Sequence, residues 1–283
     1  MNVIYFSGSG NTRHCAELFA GATGGRAVSI ESDEALEILK GGNCLQDHKA
    51  GGQEALQTIT EADEVAQTNE VALAYPTHYS DVPLIVKNFI AKNGALFKGK
   101  KVFVIVTMGL FSGDGAGVGA RLLKKQGAKI LGGLHLRMPD AIGDVPMLKK
   151  PMAKNLATIR QTEQKIARAV ESTKNGRYPK DGLSFWHFLA GLFGQRLWFI
   201  PTVKALRSKL KIDAEKCSGC GTCASGCPTK SIELQNGKAV FAPGSCTLCY
   251  RCVNHCPARA ITLIGKRVLE QCRYDLYEKE LHN

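Results

Sequence analysis

CSGCGTCASGCPTKSIEL, running from Cys217 to Leu234, aligns without gaps on CTLCYRCVNHCPARAITL, from Cys246 to Leu263, at an offset of 29 residues. Seven positions coincide: four cysteines, the proline after the last of them, an isoleucine and a leucine. Self-similarity of this kind marks a duplicated unit, here a cysteine-rich loop feeding a short helix and a strand. Each copy reads C-x2-C-x2-C-x3-C-P, through Cys217, Cys220, Cys223 and Cys227 in the first and Cys246, Cys249, Cys252 and Cys256 in the second. Three thiolates two residues apart on a turning loop can reach one polynuclear centre, whereas the fourth, redirected by proline, points away from it.

This run is the bacterial ferredoxin pattern, and Lys211 to Lys266 resembles two-cluster ferredoxins of that type. The resemblance implies a small α+β module around two 4Fe-4S clusters. Cluster one would take Cys217, Cys220, Cys223 and Cys256; cluster two would take Cys246, Cys249, Cys252 and Cys227. Gly219 and Gly221 let the backbone approach the first centre, while Leu248 and Tyr250 occupy those places in the second, so the two should differ in packing and potential. Four-cysteine zinc sites are also built from C-x2-C pairs, but the repeated triple spacing with its terminal Cys-Pro fits the cubane pattern better. Cys15, Cys44 and Cys272 fall outside it and read as small buried thiols.

At the other end of the chain, Val3 to Phe6 is an apolar run that stops at Ser7-Gly8-Ser9-Gly10-Asn11-Thr12, after which Arg13 to Ala20 has helical character. That is a strand, a hydroxyl- and glycine-rich loop, and a helix start whose unpaired N–H groups attract an anion such as a phosphate monoester. The loop lacks the Gly-Lys-Ser/Thr ending of a nucleotide-hydrolysing P-loop. Further apolar runs at Ala27 to Ile30, Val71 to Tyr75, Val102 to Thr107 and Lys129 to Arg137 alternate with helical patterns at Val82 to Lys92, Gly115 to Gln126 and Lys154 to Ser172. Alternation of this kind predicts an α/β fold, a doubly wound parallel sheet covered on both faces, with ligand loops at the C-terminal strand ends.

With those loops in place, Met1 to Ser172 resembles flavodoxins and related FMN-binding domains. The resemblance implies that Ser7, Gly8, Ser9, Gly10, Asn11 and Thr12 hold an FMN phosphate. Pro76, Thr77, His78 and Tyr79, with Thr107, Met108, Gly109, Leu110 and Phe111, would flank the isoalloxazine ring, Tyr79 and Phe111 being candidates for aromatic contact. A second glycine pattern, Gly115 to Ala120 with Asp140 downstream, fits a nicotinamide fingerprint, but seven residues separate it from the preceding strand. Glycines that close a flavin loop and start a helix explain it more simply.

The formal charge of +12 would by itself suggest nucleic acid, yet two clusters with their thiolates bring about two negative charges each, and no nucleic-acid partner is expected. The longest uncharged apolar stretch, Gly182 to Gln195, has 14 residues, short of the roughly 20 that cross a bilayer. The first residues lack the pattern of a secretory signal, and a cytoplasmic, reducing setting is expected.

The chain divides into 1–176, a flavodoxin-like domain; 177–211, a basic connector; 212–266, the cluster module; and a tail at 267–283. Between Arg177 and Lys216 lie eight Lys or Arg against three Asp or Glu, together with both tryptophans of the chain. The connector is expected to pack across the two domains, with membrane-surface contact the less favoured alternative; the tail reads as a solvated helix. The whole resembles flavodoxin-ferredoxin fusion proteins of anaerobic prokaryotes, which implies relay of electrons among two clusters, an FMN and partner proteins. The alternative is a flavin oxidoreductase acting on its own small substrate, with His78 and Tyr79 as candidate proton donors. No residues are assigned as catalytic.

Overall fold

Val3 and Ile4 are both fully buried, but on opposite faces of one sheet. Ile4, Leu73, Tyr75, Val104 and Val106 pack on one side and Val3, Ala72, Ala74, Phe103 and Ile105 on the other. A strand whose alternate residues are both inside belongs to a sheet covered on two faces. In this computed structural model, residues 1–41, 69–78, 81–111, 113–242 and 246–282 are described. Tyr79, Cys44 and most of the crossover after Ser32 lie outside them.

The strands are β1 (Asn2–Tyr5), β2 (Ala27–Ser29), β3 (Glu70–Pro76), β4 (Lys101–Met108) and β5 (Lys129–Arg137). They pair in parallel in the order β2-β1-β3-β4-β5. This is the flavodoxin-like doubly wound order, whose switch point lies between β1 and β3. Helices α1 (Asn11–Ala22) and α5 (Met152–Lys174) cover one face. Opposite them lie α2 (Glu34–Lys40), α3 (Leu84–Lys92) and α4 (Gly115–Lys125). The glycines of α4 serve packing: a side chain at Gly119 would collide with the Tyr75 hydroxyl, which donates to the Gly115 carbonyl at 2.8 Å. No nicotinamide site is needed to explain them.

After α5 the chain runs along β5, where the Gly133 N–H donates to Pro179 and its carbonyl accepts from Asp181. It continues as α6 (Phe185–Gly191), a π-helical turn (Leu192–Arg196) and α7 (Leu197–Leu206). The cluster module contains β6 (Lys211–Ile212), α8 (Thr222–Ser225), β7 (Ile232–Gln235), β8 (Lys238–Phe241), α9 (Arg251–His255) and β9 (Ile261–Thr262). It forms two small antiparallel sheets, β6-β9 and β7-β8, around a core that includes Val253, Ile261, Leu263 and, from α7, Leu206.

Two expectations change. The tail does form a helix, α10 (Tyr274–His282), but it is not solvated all round. Tyr274 and Tyr277 are buried in the core shared with α1 and α5, because the chain returns from the cluster module to the first domain. The connector bridges the modules on one face only: Arg196 reaches the buried Asp114 carboxylate, while Phe185 and Trp186 stay 65% and 76% exposed.

His135 on β5 is buried against Gly182, and its Nε2 accepts the Ala116 N–H at 3.3 Å. Burial pushes its pKa down to about 4, so it is neutral in the folded chain. Its contribution to stability is complete above the unfolded value of about 6.5 and is lost as pH falls through that value towards 4. Between pH 7.5 and 5.5 the thermal midpoint should therefore fall less steeply for His135→Gln than for the parent chain; parallel slopes would contradict this.

Candidate functional site

The C-terminal ends of β1, β3, β4 and β5 enclose a cavity of about 270 Å³, near the small end of ligand pockets. Gly8, Ser9, Asn11 and Thr12 line it from the first loop, Pro76, Thr77 and His78 from the second, and Thr107 to Phe111 from the third. The helix behind the first loop starts at Gly10, in the left-handed region at φ 90°, and no side chain caps it. Its leading N–H groups are thus available to an anion. The hydroxyls of Thr12 and Thr107 lie 2.7 Å apart. Asn11 donates through Nδ2 to the Pro139 carbonyl at 2.8 Å, leaving its Oδ1 buried without a hydrogen-bond partner among the described residues. A ligand that combines an anion with hydroxyl donors would satisfy this set, as a phosphate monoester on a polyol does.

Ser7 and Gly10 face the other way, into a second hollow of about 480 Å³ with Arg13, Glu31 and Arg251. The expected phosphate loop is therefore a partition between two spaces. Leu110 and Phe111 stand half exposed at the cavity lip. His78 is turned towards the cysteine module: its Nδ1 lies 2.9 Å from the Thr247 carbonyl, and burial lowers its pKa to about 4. Its Nδ1–H donates to that carbonyl.

The eight repeat cysteines separate into two sets. Cys217, Cys220, Cys223 and Cys256 line one void, and Cys227, Cys246, Cys249 and Cys252 line another, each set combining three cysteines of one copy with the last of the other. The backbone repeats as strictly as the sequence. Gly219 and Gly221 have φ of 71° and 78°, and their counterparts Leu248 and Tyr250 have 59° and 60°; Lys230 and Arg259 match at 50° and 48°. The N–H of Ser231 donates to Cys227 Sγ at 3.2 Å and that of Ala260 to Cys256 Sγ at 3.3 Å, bonds that stabilise charge on the sulfurs. The two sets differ in exposure. The Ala239 N–H holds the Cys217 thiol below its usual range, while burial pushes that of Cys249 up to about 12.

The loop of the second set is also a wall of the sheet-edge cavity, through Leu248, Cys249 and Tyr250. A side chain at Gly8 would strike the Cys249 carbonyl, and one at Gly10 would come within 2.9 Å of Tyr274. Gly8 is thus required by the cluster module and Gly10 by the tail helix that lands on it. Arg251 donates to the Ser7 carbonyl at 2.7 Å and, through two nitrogens, to both Glu31 oxygens at 2.8 and 2.6 Å. On the far side the buried Asp144 accepts from the N–H groups of Leu263, Ile264 and Gly265 at 2.8 to 3.0 Å and from the Tyr250 hydroxyl at 3.1 Å. Asn254 donates to the Ala141 carbonyl at 2.9 Å.

Residues 209–257 match the family model of the 4Fe-4S dicluster domain. The C-terminal module is a two-cluster iron–sulfur domain, and the zinc alternative falls away. A 29-residue stretch is 59% identical to Ferredoxin-2 of Desulfomicrobium norvegicum, covering 10% of this chain and 49% of that protein, so the chain spans about half the length of the curated relative it matches. Among solved structures, a flavodoxin from the domain Archaea aligns with 60% of this chain and 97% of its own, at 16% identity and a TM-score of 0.33. The two-electron reduced Megasphaera elsdenii flavodoxin aligns with 59% and 98%, at 20% identity and 0.34. The assignment of the first domain's fold rests on its strand order, not on these alignments.

Several lining residues escaped the sequence reading. Met138, Pro139, Ala141, Ile142, Leu148 and Phe199 reach the cavity without any motif to mark them, and Asp140, which the glycine fingerprint would have made a ribose acid, lines it as well. Asp144 had no signal at all, since an acid in a loop is ordinarily solvated. Leu248 and Tyr250 did carry one: bulky residues stand where the first copy has glycines.

Asp144→Ala should cost on the order of 3 kcal/mol, and Tyr250→Phe about 1 kcal/mol, because buried N–H groups or a carboxylate oxygen are left unpaired. Thermal melts of the intact holoprotein check this. Changes below about 0.5 kcal/mol in both variants, the level of ordinary surface substitutions, would contradict it.

Proposed function

We propose that the chain is an electron relay in which two 4Fe-4S clusters and an FMN serve one- and two-electron redox partner proteins. The observation that carries it is the double position of Cys249, which lines both the void of the second cysteine set and the sheet-edge cavity. In such a relay the flavin supplies interconversion between one- and two-electron chemistry and the clusters supply single-electron steps.

The residues have distinct tasks in this reading. Thr12 and the leading N–H groups of α1 hold the phosphate, and Asn11 Oδ1 accepts from a hydroxyl of the ligand. Thr77 and the Thr107–Phe111 loop wall the ring. Cys217, Cys220, Cys223 and Cys256 bind the outer cluster, where Cys220 is exposed and open to a protein partner. Cys227, Cys246, Cys249 and Cys252 bind the inner cluster, and the Leu248–Tyr250 backbone keeps it against the cavity and away from water. Commitment of His78 to Thr247 favours the relay over the alternative in which that histidine protonates a small substrate.

Anaerobic purification followed by FMN reconstitution should yield about eight irons and one flavin per chain, four irons to each cluster. Iron without flavin would overturn the reading of the first domain. In the same preparations Cys227→Ser should leave the EPR spectrum that Cys246→Ser leaves, and Cys256→Ser the spectrum that Cys217→Ser leaves. A Cys227→Ser spectrum that matches Cys217→Ser would refute the crossed ligand sets.

A further inference from the structure

We infer that the outer face of the connector, with the loop after β4 beside it, seats on an anionic lipid surface. The connector has two unlike sides. Its inner side is fixed to the first domain: Phe188 lies beneath Arg121 and Arg196 at 5.1 and 5.6 Å, and Gly191 fits against Gly113 and Asp114, where a side chain would collide. Its outer side carries Phe185, Trp186, Phe193 and Leu197, exposed by 54% to 76%. The loop after β4, which meets the connector at Gly113 and Gly191, adds the half-exposed Leu110 and Phe111.

Charge selects the occupant. From Gly182 to Ile212 there is no Asp or Glu, while the exposed Lys209 and Lys211 follow α7. A second copy docked through the same patch would bring like charges together, since a two-fold contact sets a surface against itself, and each chain carries +12 before its cofactors. An anionic headgroup layer complements the bases, and its acyl boundary takes the Trp, Phe and Leu side chains. No helix of the described residues is long and apolar enough to cross a membrane, so the segment would lie in the interface plane.

The test is flotation of the holoprotein with vesicles of phosphatidylcholine alone and of phosphatidylcholine with 30% phosphatidylglycerol in about 0.1 M salt, where exposed charges still act over about 10 Å. The protein should float with the anionic vesicles and stay below with the neutral ones. Trp186→Ser with Leu197→Ser should weaken binding by about tenfold or more through lost apolar burial. Lys209→Gln with Lys211→Gln, both exposed, should weaken it by roughly tenfold or more through lost charge. Unchanged iron and flavin contents would show that each variant is folded. Three results would overturn the inference: no flotation with either vesicle, equal flotation of parent and both variants, or a dimer in solution that the Trp186→Ser, Leu197→Ser variant dissociates.

Discussion

The close approach of the Cys249 carbonyl to Gly8 is the constraint on which the rest of the architecture depends. It puts a loop of the iron–sulfur module in van der Waals contact with the loop that starts α1, so that one partition separates the second cysteine set from the sheet-edge cavity. Glycine is needed at positions 8 and 10 because another part of the chain occupies the space a side chain would take. The landing module is strained in turn. Leu248 and Tyr250 adopt the left-handed conformation that Gly219 and Gly221 adopt without cost, at roughly 1–2 kcal/mol per residue. Burial of both side chains and the Tyr250–Asp144 hydrogen bond offset that cost.

Contacts on both flanks keep the partition in register. Arg251 clamps one side to Ser7 and Glu31, and Asp144 gathers three backbone N–H groups on the other. Beyond them the tail closes the circuit: the Tyr274 N–H donates to the Ser9 carbonyl at 2.8 Å, and its ring stacks on His14 with centroids 4.0 Å apart.

How much of this was legible in the sequence follows from the range of the interactions involved. The parallel α/β architecture could be read from alternating apolar runs, and the two cysteine runs from their spacing, because periodicity and spacing are local properties. Ser7 to Thr12 was legible as a loop, but not as a partition with two faces, since the orientation of Ser7 and Gly10 depends on Arg251 and Tyr274, more than 200 residues away. Asp144 and Asn254 were invisible for the same reason: their partners are set by docking. The tail misled because its charged residues suggested a solvated helix, although Tyr274 and Tyr277 at helical spacing already formed an apolar edge.

The central claim is that the inner cluster and the flavin share a wall. An anomalous difference map at the iron edge, from crystals of the anaerobically purified holoprotein, tests it most directly. The account predicts two separate iron peaks, one ringed by Cys227, Cys246, Cys249 and Cys252 and lying against flavin density bounded by Gly8, Asn11 and Thr12. Flavin density elsewhere, or an iron peak ringed by the four cysteines of a single copy, would contradict it.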